Sequence, residues 1–350
     1  MRVGLVGFSG AGKTSLFRAL GGQNEKLPHT PQDDRPVVSV EVPDPRLEWL
    51  RDLWKPRKYT PARVEFQDLP GIPERAVKGK PELLAAVREC DALAVVLRDF
   101  SADPYGIGAP GAARDLETLR TEFALGDLAV VEGRLERLES KKKKPVKEQA
   151  EDEKERLLLA RIAPALEAGE SLQSLALSAE DEKRISGFQF LSLKPLLVVH
   201  NVGEEDLGRA VDPIQRDCPE IPLCATVEED VAGLEESERA EFLDAYGIAE
   251  RARDALVRAA YAACRAHAFF TAGEDEVRAW TIPVGASAVE SAGKIHSDLA
   301  RGFIRAEVSP WESLHAAGDL RSYKAKGGSR LEGKDYVVVD GDILEIRFSV

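Results

Sequence analysis

At 350 residues the chain is too long for one simple core and is expected to fold as two or three domains, with an ordinary globular composition of 43% hydrophobic and 31% charged residues. A formal net charge of −13 argues against unspecific nucleic-acid binding by the whole surface while leaving room for a local basic patch. The longest apolar runs, over 92–97 and 191–199, fall short of a membrane span, no signal-peptide pattern opens the chain, and the 4 cysteines are scattered without a CxxC spacing, so the reading is a cytoplasmic protein with reduced thiols.

In chain order, an apolar run over 3–6 predicts a short buried strand. Gly7-Phe8-Ser9-Gly10-Ala11-Gly12-Lys13-Thr14-Ser15 follows, and then a helical pattern of Leu16, Phe17 and Leu20. Strand, glycine loop and helix start together form the required context of a phosphate-binding loop. The glycines let successive main-chain N–H groups turn inward around a phosphate, and the helix N-terminus adds partial positive charge. Lys13 is placed to reach the β- and γ-phosphates and the Thr14 hydroxyl to bind Mg²⁺. The chain is expected to bind a nucleoside triphosphate.

Residues 23–36 are polar and proline-bearing and read as a loop. In nucleotide switches the first mobile segment lies here and supplies a threonine to Mg²⁺. Thr30 is the one threonine on offer; an ordinary surface loop is the other reading. Alternation predicts strands over 37–42 and 63–67, the first broken by Pro43-Asp44-Pro45. The second runs into Asp68-Leu69-Pro70-Gly71. Asp68 is a candidate to hold a Mg²⁺-bound water, and Gly71 can turn its N–H toward a γ-phosphate. Ile72 comes next, at the position where Ras-like enzymes carry the glutamine that orients water, and it cannot do that work. No side chain is assigned as catalytic.

A helix over 83–88 and near-continuous apolar strands over 92–97 and 195–200 suggest a parallel sheet buried on both faces. The later strand ends in Asn201-Val202-Gly203-Glu204, where guanine-specific proteins place Asn-Lys-x-Asp. With Val202 and Glu204 there, GTP preference is not supported. A further strand over 221–226 is expected to bring Cys224, Ala225 and Thr226 beside the base. Between the apolar strands, Leu116, Leu119, Phe123, Leu128, Val131, Leu135 and Leu138 form a helical stripe, and a second pattern covers 151–167. Together they predict a helical hairpin with a lysine run at 141–144 on its tip, either a solvated surface or an RNA contact. Gly133 weakens the first arm by about 1 kcal/mol relative to alanine. An Ala-rich helix over 250–267 leads to Phe269-Phe270-Thr271-Ala272-Gly273. Then a strand over 279–284, a helix over 291–304 and a hairpin turning at Asp340-Gly341 build a small α+β module.

As a set, these segments resemble the YchF subfamily of Obg-like P-loop ATPases. The resemblance rests on the phosphate loop, Val42-Pro43-Asp44-Pro45-Arg46-Leu47, Asp68-x-x-Gly71, Asn201-Val202-x-Glu204, the Phe269–Gly273 run and a tail similar to that family's TGS domain. It implies an α/β fold: a Ras-like P-loop domain over 1–115 and 192–266, a helical arm inserted over 116–191, and an α+β TGS domain over 267–350. It also implies ATP in preference to GTP, slow hydrolysis with Mg²⁺ and a hydrophobic residue where the glutamine would be, matched by Ile72. Association with the ribosome or its RNA, without a membrane, follows from the same likeness, and a monomer is the default. Both switch segments depart from the family, Thr30–Pro36 in the first and Pro73–Gly79 in the second, so altered hydrolysis is expected. The alternatives are a nucleotide-binding scaffold without hydrolysis and a GTPase of the same layout.

Overall fold

A computed structural model describes residues 1–21, 36–72, 81–100, 111–140, 146–208, 211–214, 218–245 and 251–349. Thr30, the lysine run at 141–144 and the Pro73–Gly79 segment lie outside them. In chain order, β1 (Arg2–Val6) leads to α1 (Lys13–Gly21), β2 (Val37–Glu41), α2 (Pro45–Trp54), β3 (Lys58–Thr60) and β4 (Arg63–Asp68). Next come α3 (Pro81–Arg88), β5 (Ala92–Asp99), α4 (Ala112–Glu139), α5 (Val146–Glu167) and α6 (Ala179–Ile185). β6 (Leu196–Val202), β7 (Glu220–Leu223), α7 (Ala225–Ala232), α8 (Glu236–Ala245) and α9 (Ala252–Ala263) follow. The last stretch holds β8 (Ala266–Ala272), β9 (Glu276–Pro283), α10 (Ala288–Ile295), α11 (Ser297–Arg301), β10 (Phe303–Pro310), α12 (Trp311–Ala317), α13 (Leu320–Ala325), β11 (Arg330–Glu332) and β12 (Asp342–Phe348).

Contacts divide the chain into two units, Met1–Val38 with Glu65–Leu256, and Ser39–Val64 with Val257–Val350. The first is built on a sheet of order β2-β4-β1-β5-β6-β7, in which β1 pairs parallel with β4 and β5, and β6 parallel with β5 and β7. Its central strands are apolar because both faces are covered: β5 is buried from Ala92 to Arg98. The arm belongs to this unit. Leu116, Leu119 and Phe123 of α4 sit in the same core as Val95 and Leu97 of β5, whereas Val131 packs with Leu159, Ile162 and Leu166 of α5. That second cluster carries the 28-residue α4 straight through Gly133.

The second unit is a sheet of order β11-β10-β12-β8-β9-β3 with α10 and α11 packed on one face. It recruits Ser39–Val64, which the sequence reading assigns to the nucleotide domain, because β3 adds parallel to β9. α2 starts here on Asp44, whose carboxylate caps Arg46 N at 2.9 Å, with Pro45 at the first helical position. Arg46 then bridges Asp44 and Asp340 at 2.9 and 2.8 Å. The Pro-Asp-Pro-Arg and Asp-Gly-Asp segments are thus two ends of one contact within the unit.

Four local expectations are corrected. The strand expected over 221–226 stops at Leu223, because Cys224 is the N-cap of α7. The helix over 250–267 ends at Ala263; Arg265 turns left-handed (φ 50°) and His267 falls in β8. The helix over 291–304 is broken by the extended His296, whose Nδ1 accepts from Asp298 N and starts α11. No hairpin turns at Asp340-Gly341: of the preceding segment only Val337 makes a bridge, to Ser287.

Candidate functional site

The site lies at the C-terminal ends of the parallel strands of the first unit, where ligands of open α/β sheets bind. After β1 the chain turns through Gly7 (φ 154°), Gly10 (φ 75°) and Gly12 (φ 91°). A Cβ on Gly7 would stand 2.4 Å from the Val96 carbonyl oxygen, and one on Gly12 would stand 2.2 Å from Asn201 Nδ2. Both positions are closed to any other residue, by backbone conformation and by space. The curled loop leaves an open cavity of about 580 Å³ lined by residues 10–15 of the loop.

Lys13 Nζ donates to the carbonyl oxygens of Gly7 at 3.1 Å and Phe8 at 3.0 Å. Burial brings its ammonium down from 10.5 to about 8, against a smaller upward pull from Asp68. Thr14 Oγ1 donates to Asp68 Oδ2 at 3.0 Å. Burial also raises the Asp68 carboxyl above the usual carboxylate range, while the Thr14 hydroxyl, Lys13 and Arg18 pull it down. Asp68 Oδ1 is buried with no hydrogen-bond partner among the described residues. A hydroxyl and a half-satisfied carboxylate side by side are hard oxygen donors of the kind Mg²⁺ takes alongside phosphate oxygens, so the residues fit that ion.

Asn201, at the end of β6, donates from Nδ2 to Ala11 O and accepts at Oδ1 from Ala225 N, both at 2.9 Å. Its amide therefore ties the phosphate loop to α7. Val202 is buried at 5% exposure, and Glu204 is exposed at the start of a short 3₁₀ turn. Cys224 Sγ lies 3.1 Å from Thr226 Oγ1.

Of the residues read from sequence, the cavity gathers Gly10, Ala11, Gly12, Lys13, Thr14, Ser15, Asn201, Val202, Glu204, Cys224, Ala225 and Thr226. Ser9 is exposed beside it and Asp68 reaches it through Thr14. Gly71 lies against Ser9: a Cβ there would be 2.7 Å from Ser9 Oγ. Phe100, Gly203 and Glu205 also line the cavity and were missed. Phe100 had a positional signal, since it follows the end of β5 in the central parallel strands.

Ile72 points away from the cavity. Its N–H donates to Gly7 O at 3.0 Å, and its side chain, 1% exposed, packs with Val6, Phe8 and Leu69. Ile72→Gln is therefore expected to bury an amide at a cost of about 2 kcal/mol without quickening hydrolysis. Denaturant midpoints and phosphate-release rates on the variant check both halves.

Residues 267–349 match a family model described as YchF-GTPase_C, a protein of unknown function, and residues 2–159 match one described as 50S ribosome-binding GTPase. The chain is 37% identical over 365 residues to the ribosome-binding ATPase YchF of Pasteurella multocida (strain Pm70), covering 100% of this chain and 99% of that protein. With the ribosome-binding ATPase YchF of Bacillus subtilis (strain 168) it shares 37% over 371 residues, covering 100% of both. With Obg-like ATPase 1 of Caenorhabditis elegans it shares 30% over 371 residues, covering 100% of this chain and 92% of that protein. The structure of the Schizosaccharomyces pombe YchF GTPase superposes with a TM-score of 0.86 at 26% identity, covering 99% of this chain and 97% of that one.

Proposed function

The chain belongs to the YchF family of P-loop nucleotide hydrolases, and from that premise we propose that it binds ATP in preference to GTP with Mg²⁺, hydrolyses it slowly, and uses its nucleotide state to govern association with the ribosome. The observation that carries the base preference is the end of β6. Val202 is buried where guanine-specific proteins carry lysine, and Glu204 is exposed at the position of their aspartate. A site not built to meet the donors of one base loses its advantage for it. Phe100 lines the same cavity and offers a flat apolar face that any purine can use.

In this reading the main-chain N–H groups of residues 9–15 and the start of α1 hold the polyphosphate. Lys13 keeps two hydrogen bonds to Gly7 and Phe8 and turns its third N–H to a phosphate oxygen. Thr14 and Asp68 are the residues that would hold Mg²⁺, which when bound neutralises the charge that develops on the phosphate oxygens. Gly71 lies against Ser9, close to the loop, and in this reading its N–H senses the terminal phosphate. Ribosome association is supported by what the relatives are called, ribosome-binding ATPases.

Equilibrium titration with ATP and with GTP at matched Mg²⁺ tests the base preference, and tighter GTP binding overturns it. A second reading, a nucleotide-binding scaffold, draws on the burial of Ile72, which leaves that position unable to orient water. Phosphate release measured against a Lys13→Ala control separates the two. Turnover above that control supports the hydrolase.

A further inference from the structure

We propose that the second unit carries a strand-addition site for an extended polypeptide segment in which apolar and basic residues alternate. Its sheet is split along one seam. Among the described residues β12 and β8 share one registered pair, Ile343 with Phe270. Beyond that pair β8 ends at Ala272, while β12 runs on to Phe348. On its other side β12 pairs antiparallel with β10, from Asp342↔Pro310 to Phe348↔Phe303. The seam opens into a cavity of about 440 Å³, walled by the β12 edge on one side and by Thr271, Ala272 and Gly273 on the other. A strand edge beside an open cavity offers main-chain N–H and C=O groups to whatever enters, the geometry that accepts an added strand.

The two faces of the seam differ, and the difference fixes the occupant. Side chains alternate along β12. Leu344 and Ile346 join the core cluster that includes Ile295 and Leu299, and all four also line the cavity. Glu345 turns to the opposite face, where the register sets it beside Glu307 of β10. Glu274, Asp275 and Glu276, around the turn from β8 to β9, extend the acidic rim. These 5 carboxylates line the cavity, and among the described residues no lysine, arginine or histidine does.

Cations already meet this rim: Arg57 at Asp275, Lys58 and Arg278 at Glu276, and Arg347, on β12 itself, at Glu307. Arg57 and Lys58 are 86% and 64% exposed, so their pairs contribute little and yield readily to an incoming cation, whereas Glu307, 12% exposed, stays with Arg347 and leaves the outer carboxylates of the rim to receive the newcomer. The same charge repels nucleic-acid phosphate. A strand laid along β12 sets every second side chain on the apolar face and the others toward Glu345 and the outer rim. Its partner is therefore a basic, alternating protein segment.

The test uses the full chain and a fluorescent peptide of alternating valine and lysine, read by anisotropy. Saturable binding is expected. A block peptide of the same composition, an alternating valine–glutamate peptide, and the first peptide with alternate backbone amides methylated should each bind about tenfold more weakly or worse. Glu345→Lys, on an exposed position, should weaken the valine–lysine peptide about tenfold by placing like charges together. Glu274→Lys, also exposed, repeats the test should the first variant misfold. Equal binding of the block peptide overturns the proposal. So does an affinity that neither substitution changes, or displacement of the peptide by single-stranded oligoadenylate.

Discussion

Replacing Lys13 with alanine is expected to lower the affinity for Mg²⁺–ATP by about 3 kcal/mol, roughly a hundredfold, while making the ligand-free protein more stable. The two effects have opposite signs because one group causes both. The ammonium is 6% exposed and is met by two carbonyl oxygens and, at longer range, by Asp68. Those partners do not offset its burial, which is why its pKa falls to about 8. Removing it strands neither carbonyl: Gly7 O still accepts from Ile72 N at 3.0 Å, and Phe8 O from Ala11 N at 3.2 Å. The expected gain is about 1–2 kcal/mol, after subtracting the packing of the aliphatic stem.

The sign with pH follows. A lysine whose folded pKa lies below its unfolded value is held protonated at a cost when the solution is below about pH 8. Between about 8 and 10.5 the unfolded chain binds more protons than the folded one, so stability rises with pH across that window. Denaturant midpoints across the window should therefore climb for the wild type relative to Lys13→Ala, and the difference between the two should shrink. Parallel curves would show that the ammonium is not strained in the ligand-free loop. A titration with Mg²⁺–ATP on the same samples reads the lost affinity.

The phosphate loop was legible because its chemistry is local. Three glycines with special conformations, one lysine and one threonine have to stand at fixed spacing, and spacing is what a sequence displays. The parallel order of the sheet was legible in kind, since strands buried on both faces are apolar throughout. Asn201 shows where such reading stops. Its position by β6 was evident, but its use was not: its amide holds Ala11 and Ala225, and those partners come from segments 190 and 24 residues away. Phe100 was missed because its one signal is positional, a single aromatic just past the end of a central strand, with no spaced partner to mark its use. α2 was overlooked although Asp44-Pro45 is a helix-start signal, because two prolines read first as a break. The recruitment of Ser39–Val64 to the second unit depends on β3 finding β9, a pairing across more than two hundred residues that no local pattern records. The absent hairpin at Asp340 errs the other way. The three consecutive valines there satisfy a turn and one bridge rather than a ladder: Val338 is buried, while Val337 and Val339 stay 53% and 56% exposed.

Arg98→Ala is expected to be the most destabilising of these substitutions, by about 3–5 kcal/mol. Arg98 is the largest fully buried side chain of the described residues, 1% exposed at the end of β5. It grips Asp115 in the first turn of α4 through Nε at 2.8 Å and a terminal nitrogen at 3.0 Å. Asp115 is equally buried, and without Arg98 its main remaining cation is the exposed Arg114 at 3.3 Å. Gly111, the N-cap of α4, provides no side-chain cap, so the same carboxylate also faces the positive end of that helix. The cost of the alanine variant thus comes chiefly from a stranded buried charge. Replacing both partners with apolar residues, Arg98→Met with Asp115→Leu, should recover most of it. The guanidinium also lies 5.6 Å from the centre of the Phe8 ring, inside the phosphate loop. If that contact supports the loop, the apolar double variant regains its denaturant midpoint but still binds Mg²⁺–ATP several-fold more weakly than wild type. Full recovery of both would confine the pair to holding α4 on β5. Recovery of stability alone would make it the physical link between the base of the helical arm and the nucleotide loop.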